Sequence, residues 1–299
     1  MSEEKPVERR YTGARIRVGA GRAHLVAGAV PGPGMGMLAG RFSVLSPGTE
    51  RRHLAGTDRE AGYMTLGRDG EGAGWVLAPV PHGAAFDPAC PGAVSAPPGL
   101  EPGLVALARF QQMACLGLDR VPTTDLSDVV VVGSGPVALG CVLELSRRGA
   151  TSIRVVTARR HAPIGRAPGV VCVPSQVAGR SLLVIDAAGV PACAAALTAP
   201  GGILGLLGTP AADDALGSLQ VHRGGLAVVG MHELAPAAEG AYQDAFTTVC
   251  HWLTGRLDPA LATGWCRTVP GERAPELFAL LDAPGRPAEP VLLLDWGTV

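Results

Sequence analysis

Residues 129–160, VVVVGSGPVALGCVLELSRRGATSIRVVTARR, decide the fold of this chain. Residues 129–132 are a β-branched apolar run of the kind that a strand buried on both faces of a sheet requires. Residues 133–138 match the spacing G-x-G-x-x-G/A, and the helix-forming residues after them end in two arginines and a glycine, which suit a helix C-terminus. Residues 153–157 form a second β-branched run. A strand, a glycine turn, a helix and a second strand, in this order, predict a dinucleotide-binding unit.

The spacing of the small residues in the turn has a chemical reason. Gly133 permits a tight turn, Gly135 lets the backbone approach a pyrophosphate, and Ala138 lets the helix pack closely on the strand. The free N–H groups at the helix N-terminus then face the pyrophosphate charge. We therefore predict that the whole turn binds a dinucleotide, through Gly133, Ser134, Gly135, Pro136 and Val137.

The end of the second strand indicates which dinucleotide binds. An NAD site places Asp or Glu there to accept hydrogen bonds from the ribose 2′-hydroxyl. This chain instead has Thr157, Ala158, Arg159 and Arg160, with no acid. A hydroxyl and two guanidiniums can bind a 2′-phosphate through charge-assisted bonds, whereas a carboxylate would repel it. We predict NADP(H) rather than NAD(H), bound by Thr157, Arg159 and Arg160; the alternative is that both arginines are only solvated.

Length and composition set further bounds. The 299 residues are 47% hydrophobic and 17% charged, which is ample for one large core or two ordinary ones. The net charge of −1 argues against a nucleic-acid or anionic-membrane partner. No apolar run approaches a bilayer span, and the charged start MSEEKPVERR lacks a signal-peptide core. We expect a soluble cytoplasmic protein with a small-molecule substrate, whose seven dispersed cysteines are mostly buried free thiols.

The rest of the chain also shows residue patterns that predict secondary structure. Residues 13–50 alternate in short stretches punctuated by Gly and Pro, which predicts an all-β start. Residues 66–79 read as one bent strand, and residues 102–118 have a helical pattern. Beyond the dinucleotide unit, strands such as 181–186 alternate with helices or loops, and residues 199–202 (APGG) read as a break. This alternation predicts the α/β class, with a parallel sheet covered by helices on both faces.

Several short motifs follow one another in a recognisable order. They are SPGTE at residues 46–50, the run LGRDGEGAG at 66–74, GSGPVALG at 133–140, VIDAAG at 184–189, APGGILGLLG at 199–208, VHRGGLAVVGMHE at 221–233 and TGRLDP at 254–259. In this order and spacing, over nearly the whole chain, they resemble the medium-chain dehydrogenase/reductase superfamily. The resemblance implies a GroES-like β-rich catalytic domain and a Rossmann dinucleotide-binding domain that meet at a cleft.

The resemblance also implies domain boundaries, an activity and an assembly. Residues 1–118 and 263–299 would form the catalytic domain, and residues 119–262 the NADP-binding domain. The implied activity is hydride transfer between a nicotinamide and a carbonyl, an alcohol or an activated alkene. Members commonly form homodimers by joining their Rossmann sheets edge to edge. Further cofactor contacts are then expected after later strands, at Ala187, Gly208, Thr209 and Gly230.

Many members of the superfamily hold a catalytic zinc, and in this respect the chain departs from them. Where zinc-binding members have Cys-Gly-Thr-Asp, this chain has Pro47 in place of the cysteine ligand. Where they have Gly-His-Glu, it has Arg68 in place of the histidine. Near the third ligand position the chain offers Arg109. Proline and arginine cannot ligate zinc, which needs about three protein ligands in a catalytic site. The four-cysteine lobe of a structural zinc is also missing, because that region contains only Cys90. We therefore predict no bound metal.

Without a metal, other groups must polarise the carbonyl and supply a proton. Thr49 stands where zinc members carry a relay hydroxyl, so it is the first candidate donor; the alternative is a turn-stabilising role. A hydroxyl alone is a weak acid and needs a partner. Glu50, His53 and Tyr63 are candidates for that partner, although His53 suits a surface loop as well. Tyr63 matches, in rough position only, the tyrosine of alkene-reducing relatives, and core packing is its alternative role.

A few more polar residues are candidates for the cleft. Arg68 and Arg109 can face the vacated metal pocket, where they either pair with Asp69 and Glu50 or bind an anionic group of the substrate. Residues 232–233 (His-Glu) follow the last clear strand, at the edge of the sheet that usually carries function. The predicted catalytic residues are therefore Thr49, Glu50, Tyr63 and Arg68.

Together these patterns predict a zinc-independent, NADPH-dependent oxidoreductase that acts on a carbonyl/hydroxyl pair of a small molecule. The bias towards Arg, Ala, Gly and Pro is typical of a high-GC genome, which would suit a tailoring step in secondary metabolism. Two alternatives stay open. One is reduction of an alkene or imine on the same fold, and the other is a nucleotide-binding protein that has lost hydride transfer.

Overall fold

The structure is a computed structural model. It describes residues 13–28, 36–68, 70, 72–159, 161–210, 214–281, 283 and 286–297, so that Asp69 and Arg160 lie outside the described part. The strands are β1 Gly13–Gly19, β2 Arg22–Gly28, β3 Phe42–Leu45, β4 Arg59–Glu60, β5 Met64–Gly67, β6 Val76–Ala78, β7 Val94–Ser95, β8 Val129–Val132, β9 Ile153–Val156, β10 Val170–Val173, β11 Ser181–Asp186, β12 Thr198–Leu206, β13 Ala227–Gly230, β14 Cys266–Pro270 and β15 Val291–Asp295. The helices are α1 Pro47–Ala55, α2 Pro102–Leu118, α3 Pro136–Arg147, α4 Pro191–Leu197, α5 Ser218–Gly224, α6 Ala241–Arg256, α7 Pro259–Trp265 and α8 Ala274–Leu280.

Strands β8 to β13 build a six-stranded parallel sheet in the order β10-β9-β8-β11-β12-β13. Strand β8 therefore lies inside the sheet, β9 and β10 extend from it to one edge, and β11, β12 and β13 form the other half. All four valines of β8 are buried, as predicted for a strand covered on both faces. The strand order reverses beside β8, and in sheets of this kind ligands bind at the carboxyl ends of the strands at that point.

A second six-stranded sheet unites the two ends of the described chain. Its order is β14-β15-β3-β5-β6-β7, and β15 pairs antiparallel with β3, which lies some 250 residues earlier in the sequence. A three-stranded sheet of β2, β1 and β4 accompanies it, and its Ile16 shares a buried cluster with Phe278 of α8 and Leu294 of β15. These sheets and the parallel one confirm the predicted α/β class.

Two segments differ from what their sequence predicts. Residues 66–79 form two strands instead of one bent strand, because the chain reverses at its glycines and β5 pairs antiparallel with β6. The turn also needs glycine for space, since a Cβ at Gly74 would stand 2.3 Å from the backbone oxygen of Ala96. Residues 199–202 continue β12 instead of breaking it. A register shift in the pairing of β12 with β11 accommodates the Pro-Gly-Gly sequence there.

Helix α2 has the predicted bounds and packs against α3 and α6. The crossing of α2 with α3 is very close at one point: a Cβ on Gly140 would stand 2.2 Å from the carbonyl oxygen of Phe110. No side chain larger than hydrogen fits between two backbones at that distance. Gly140 therefore sets how closely these two helices approach, and through α3 it sets the position of the glycine turn at the N-terminus of that helix.

All seven cysteines are free thiols, but only Cys115, Cys141 and Cys250 are buried. The prediction that most of them are buried was wrong, because the other four are half-buried or exposed: Cys90, Cys172, Cys266 and Cys193. Within the described part of the chain, no helix combines the length and the apolar character that crossing a membrane requires.

Candidate active site

A cleft with a cavity of about 500 Å³ lies at the carboxyl ends of the parallel strands, where the strand order reverses. That volume is ordinary for a small-molecule or cofactor site. The cleft is lined by the first turn of α1, by the loops that follow β8, β9, β11, β12 and β13, and by the segment around β15. Tyr63 and Met113 complete the lining. The predicted cofactor-binding residues among the lining residues are Gly133, Ser134, Gly135, Pro136, Val137, Thr157, Arg159, Ala187, Gly208 and Thr209.

The glycine turn has the backbone that pyrophosphate binding requires. Gly133 has a φ of +117°, a conformation that side-chain-bearing residues rarely adopt. Its N–H donates to the carbonyl oxygen of Val156 at 2.9 Å, which ties the turn to β9. Helix α3 begins at Pro136, directly after Gly135, and a Cβ on Gly135 would meet no atom within 4 Å. Since Gly135 lines the cleft, the turn presents bare backbone and a helix N-terminus to open space, which fits a dinucleotide pyrophosphate.

Thr157 organises the end of β9. Its hydroxyl donates to Ser134 Oγ at 2.9 Å and accepts from the backbone N–H of Arg159 at 3.1 Å. The side chain therefore joins the glycine turn to the segment that follows β9. Arg159 lines the cleft, and Arg160 lies outside the described residues.

A buried carboxylate shapes the loop after β11. Asp186 Oδ1 accepts hydrogen bonds from the N–H groups of Ala188 and Gly189, at 3.0 and 2.9 Å. Burial raises the Asp186 pKa above its ordinary value, although these N–H groups oppose the shift. The two bonds hold Ala187 and its neighbour against the cleft. Gly230, the remaining predicted cofactor contact, ends β13 and is not among the residues that line the cleft.

Two of the four predicted catalytic residues, Thr49 and Tyr63, line the cleft. Thr49 lies in the first turn of α1, and its hydroxyl donates to Ser46 Oγ at 3.1 Å. The Tyr63 hydroxyl donates to the Met113 sulfur at 3.4 Å. Burial raises the pKa of Tyr63 to about 12, so its hydroxyl keeps its proton at neutral pH. The cleft therefore holds a pair of aliphatic hydroxyls and a protonated phenol.

The other two predicted catalytic residues, Glu50 and Arg68, do not line the cleft. Glu50 is completely buried behind it, where Oε1 meets His82 Nε2 at 3.0 Å and Oε2 lies 3.8 Å from His53 Nδ1. Burial pushes the Glu50 pKa upward, but the two histidines outweigh it and hold the pKa below its ordinary value. Arg68 is exposed, with its guanidinium 4.5 Å from the ring centre of Trp75. Glu50 thus pairs with histidine, and not with either arginine that was considered for it.

Arg109 is buried behind the cleft, where it contacts residues from distant parts of the chain. Its Nη2 donates to Glu233 Oε1 at 2.8 Å, and its Nη1 donates to Gln112 Oε1 at 2.9 Å. The rings of Tyr63 and Tyr242 flank the guanidinium at 5.9 and 5.5 Å. Since Glu233 lines the cleft next to His232, both residues lie where the sequence placed them. The pairing with Glu233 neutralises Arg109, so this arginine is not available to bind an anionic substrate group.

The residues at the zinc-ligand positions do not fit a metal. Pro47 has no donor atom, Arg68 stacks on Trp75, and Arg109 is engaged by Glu233. No group of three His, Cys, Asp or Glu side chains that could hold a metal ion is found in the described ranges. We therefore derive no chemical step through a metal.

Sequence reasoning overlooked several residues of the cleft, among them Ser46, Arg52 and Met113. Arg52 Nη1 donates to the carbonyl oxygen of Thr209 at 3.1 Å, which bridges α1 and the loop after β12. Ser46 immediately precedes the Pro47–Ala55 helix, so its place beside Thr49 was a usable signal. Nothing local in the sequence distinguishes Arg52 or Met113, because their roles depend on elements that are distant along the chain.

This architecture, a Rossmann sheet and a GroES-like β-rich part around one cleft, is the fold of the medium-chain dehydrogenases/reductases. The galactitol-1-phosphate dehydrogenase of Escherichia coli superposes with a TM-score of 0.70 at 14% identity, over 94% of this chain and 99% of that chain. The YhdH oxidoreductase of Salmonella enterica, in complex with NADP, gives 0.67 at 16% identity, with 95% and 99% covered. The alcohol dehydrogenase RspB of Escherichia coli, complexed with NADH, gives 0.67 at 16% identity, with 94% and 98% covered. No protein-family model and no curated protein sequence matches the chain. These likenesses confirm the fold predicted from the motifs.

Proposed function

We propose that this protein is a zinc-independent, NADP(H)-dependent oxidoreductase that transfers a hydride between the nicotinamide and a carbonyl or hydroxyl group of a small molecule. The observation that carries the proposal is the composition of the cleft. The open backbone of Gly135 lies on one side and Thr49 and Tyr63 on the other, with Arg159 and no acid at the end of β9. The neighbours that hold NADP or NADH support a nicotinamide cofactor.

The residues of the chain then have distinct tasks. Bound NADP(H) supplies the hydride chemistry. Thr49 and Ser46, joined by their hydroxyl hydrogen bond, can pass a proton to or from the substrate oxygen. The Arg109–Glu233 pair supports the ring of Tyr63 and keeps the wall of the cleft in place. The absence of donor atoms at Pro47 and Arg68 supports a reaction without zinc.

The cofactor assignment is tested by binding, which needs no knowledge of the substrate. We expect NADPH to bind about 10- to 100-fold more tightly than NADH, because a 2′-phosphate gains charge-assisted hydrogen bonds from Arg159. Arg159→Ala should remove most of this preference, whereas Arg223→Ala, an exposed arginine on α5 outside the cleft, should leave it intact. Fluorescence titration with both reduced cofactors measures the ratio. Equal or tighter binding of NADH would refute the NADP(H) assignment.

The proton donor is tested by two variants of the cleft. We expect Thr49→Val to slow the reduction of bound NADP⁺ by an accepted alcohol about 100-fold, since the aligned hydroxyl is lost. Tyr63→Phe should change this rate little, because the protonated phenol only donates to Met113. Stopped-flow absorbance with a panel of alcohols measures both rates. If instead Tyr63→Phe is inactive and Thr49→Val is not, the result would favour a second candidate function, the reduction of an alkene or imine. The observation that supports this second function is the protonated tyrosine in the cleft.

Other parts of the sequence-based assignment stay predictions. They are the domain boundaries, the homodimer, the cytoplasmic location and the role in secondary metabolism.

A further inference from the structure

Glu233, which lines the cleft, has a carboxylate oxygen that no other described residue uses. Its Oε1 accepts a hydrogen bond from Arg109 Nη2 at 2.8 Å. Within the described part of the chain no hydrogen bond reaches Oε2, and this oxygen stays accessible. The Nδ1 of His232 lies 3.8 Å from it, but that nitrogen accepts the N–H of Leu234 at 3.1 Å and so does not donate to Glu233. Glu233 therefore has one oxygen in use and one open to a ligand.

The segment that carries Glu233 is fixed on both sides of this residue. Before it, Met231 is completely buried, and its N–H donates to the carbonyl oxygen of the last residue of β12 at 2.9 Å. After it, the Arg120 guanidinium donates to the carbonyl oxygens of Ala235 and Pro236, at 2.9 and 3.0 Å. Since Oε1 is also held, the open oxygen has a defined position before any ligand arrives. An acceptor that is held in this way favours ligands that bring a donor to it.

Arg109 relates Glu233 to the end of the cleft that carries the hydroxyls. The guanidinium that donates to Glu233 lies 5.9 Å from the ring centre of Tyr63, and both Tyr63 and Glu233 line the cleft. In the proposed function this end receives the substrate, whereas the glycine turn receives the pyrophosphate. The open oxygen of Glu233 is therefore available to the substrate.

The chemistry of this oxygen limits what can bind to it. A carboxylate only accepts hydrogen bonds, so its partner must be a donor such as a hydroxyl or an ammonium group. A ligand that brings only apolar atoms or acceptors would take Oε2 out of water without replacing its hydrogen bonds, which is unfavourable. A donor instead makes a charge-assisted hydrogen bond.

We propose that Glu233 is a specificity-determining residue, whose Oε2 accepts a hydrogen bond from a donor group that the substrate carries in addition to its reacting oxygen. This inference rests on the proposed function. Arg109 holds the other oxygen and so decides which one is open. A substrate whose only polar group is the reacting carbonyl or hydroxyl leaves Oε2 without a partner and reacts poorly.

The test compares secondary alcohols that differ only in their second group: propane-1,2-diol, 1-methoxypropan-2-ol and 1-aminopropan-2-ol, together with longer homologues. The methyl ether keeps an acceptor oxygen but has no second donor, and the amino alcohol distinguishes an ammonium donor from a hydroxyl. Reduction of NADP⁺, followed by absorbance, gives kcat/KM for each alcohol. In the wild type we expect the diol, the amino alcohol or both to exceed the ether about 10- to 100-fold, as for one charge-assisted hydrogen bond.

Two variants remove the acceptor in different ways. In Glu233→Gln the amide oxygen can still accept from Arg109, while the amide nitrogen, a donor, replaces Oε2. The ether should then react as well as the diol, which also excludes the size of the ether as the cause of its rejection. Arg109→Met/Glu233→Met removes both charges together, so that no buried charge is left unpaired, and should also abolish the preference. The control Glu276→Gln changes an exposed glutamate that pairs with Arg273 outside the cleft, and should keep the wild-type ratio. Thermal melts establish that each variant is folded.

Failure of this inference is distinguishable from failure of the proposed function. If the wild type oxidises alcohols without a second donor as well as it oxidises the diols and amino alcohols, or if both variants keep the wild-type ratio, the role of Glu233 is overturned and the oxidoreductase assignment stands. If no alcohol reduces NADP⁺, the proposed function fails and this inference falls with it. Fluorescence titration with NADPH supplies a further arm. Were Glu233→Gln to weaken NADPH binding and leave the ratio of diol to ether unchanged, Glu233 would serve the cofactor, which also overturns the proposal.

Discussion

Replacing Gly135 with valine is expected to weaken NADPH binding by at least about 100-fold, or about 2.7 kcal/mol, without changing the melting temperature of the protein. Gly135 has a φ of −83°, which any residue adopts, and a Cβ there would meet no atom within 4 Å. A side chain therefore causes no strain or clash in the free protein. It does enter the space through which the pyrophosphate must approach the N-terminus of α3. Fluorescence titration with NADPH and thermal melts measure the two effects separately.

Gly140→Ala, in helix α3, is the matched control, because we expect this substitution to lower the stability of the free protein. Its Cβ would stand 2.2 Å from the carbonyl oxygen of Phe110, so α2 and α3 must move apart. We expect a destabilisation of about 3 kcal/mol, the upper end of the usual cost of overpacking. A Gly135→Val protein that melts as early as this control, or that keeps the wild-type affinity for NADPH, would contradict the assignment of the glycine turn.

His82→Leu is expected to destabilise the protein at neutral pH by about 1–3 kcal/mol or more, the cost of leaving a buried carboxylate without its hydrogen-bond partner. The variant leaves the carboxylate of Glu50 buried with only the more distant His53, 3.8 Å away. The double variant Glu50→Leu/His82→Leu should recover much of the loss, because it removes the uncompensated charge. Chemical denaturation of the three proteins measures these differences.

The contribution of the Glu50–His82 contact to stability depends on pH in a definite direction. Because the folded pKa of Glu50 lies below its ordinary value of 4.5, the pair stabilises the fold above that value. The stabilisation is lost as the pH falls through the lowered pKa. In His82→Leu the buried carboxyl takes up its proton at a higher pH than in the wild type, so the stability difference between the two proteins should narrow as the pH falls towards the lowered pKa of Glu50 in the wild type. Parallel stability curves for the two proteins would show that His82 does not hold Glu50 ionised.

Local sequence predicted the parallel-sheet half of the molecule well. The four valines, the glycine turn and helix α2 were all recognised, since each follows from the nature of adjacent residues. The turn residues that were predicted to bind the cofactor line one cleft. Errors arose where pairing between strands overrides a local pattern, as in residues 66–79 and 199–202.

Two of the four predicted catalytic residues do not line the cleft, for a physical reason. Glu50 and Arg68 are polar residues in suggestive motifs, but their surroundings come from elsewhere in the fold. Glu50 is buried against His82, 32 positions away, and Arg68 stacks on Trp75. Whether a polar side chain faces a cleft or a core depends on the packing of whole elements, and no short motif encodes that.

Adjacent residues were enough to predict the strand, turn, helix and strand of residues 129–156, and to show that Pro47 and Arg68 cannot ligate zinc. These properties depend on the conformational preferences and side-chain chemistry of single residues and their close neighbours. Which charges meet depends on the packing of the whole chain. It joined Arg109 to Glu233 across 124 positions and brought Arg159 to the same cavity as Arg286. Electrostatic interactions depend on distance in space, and that distance is set when the sheets from the two ends and the middle of the chain pack together.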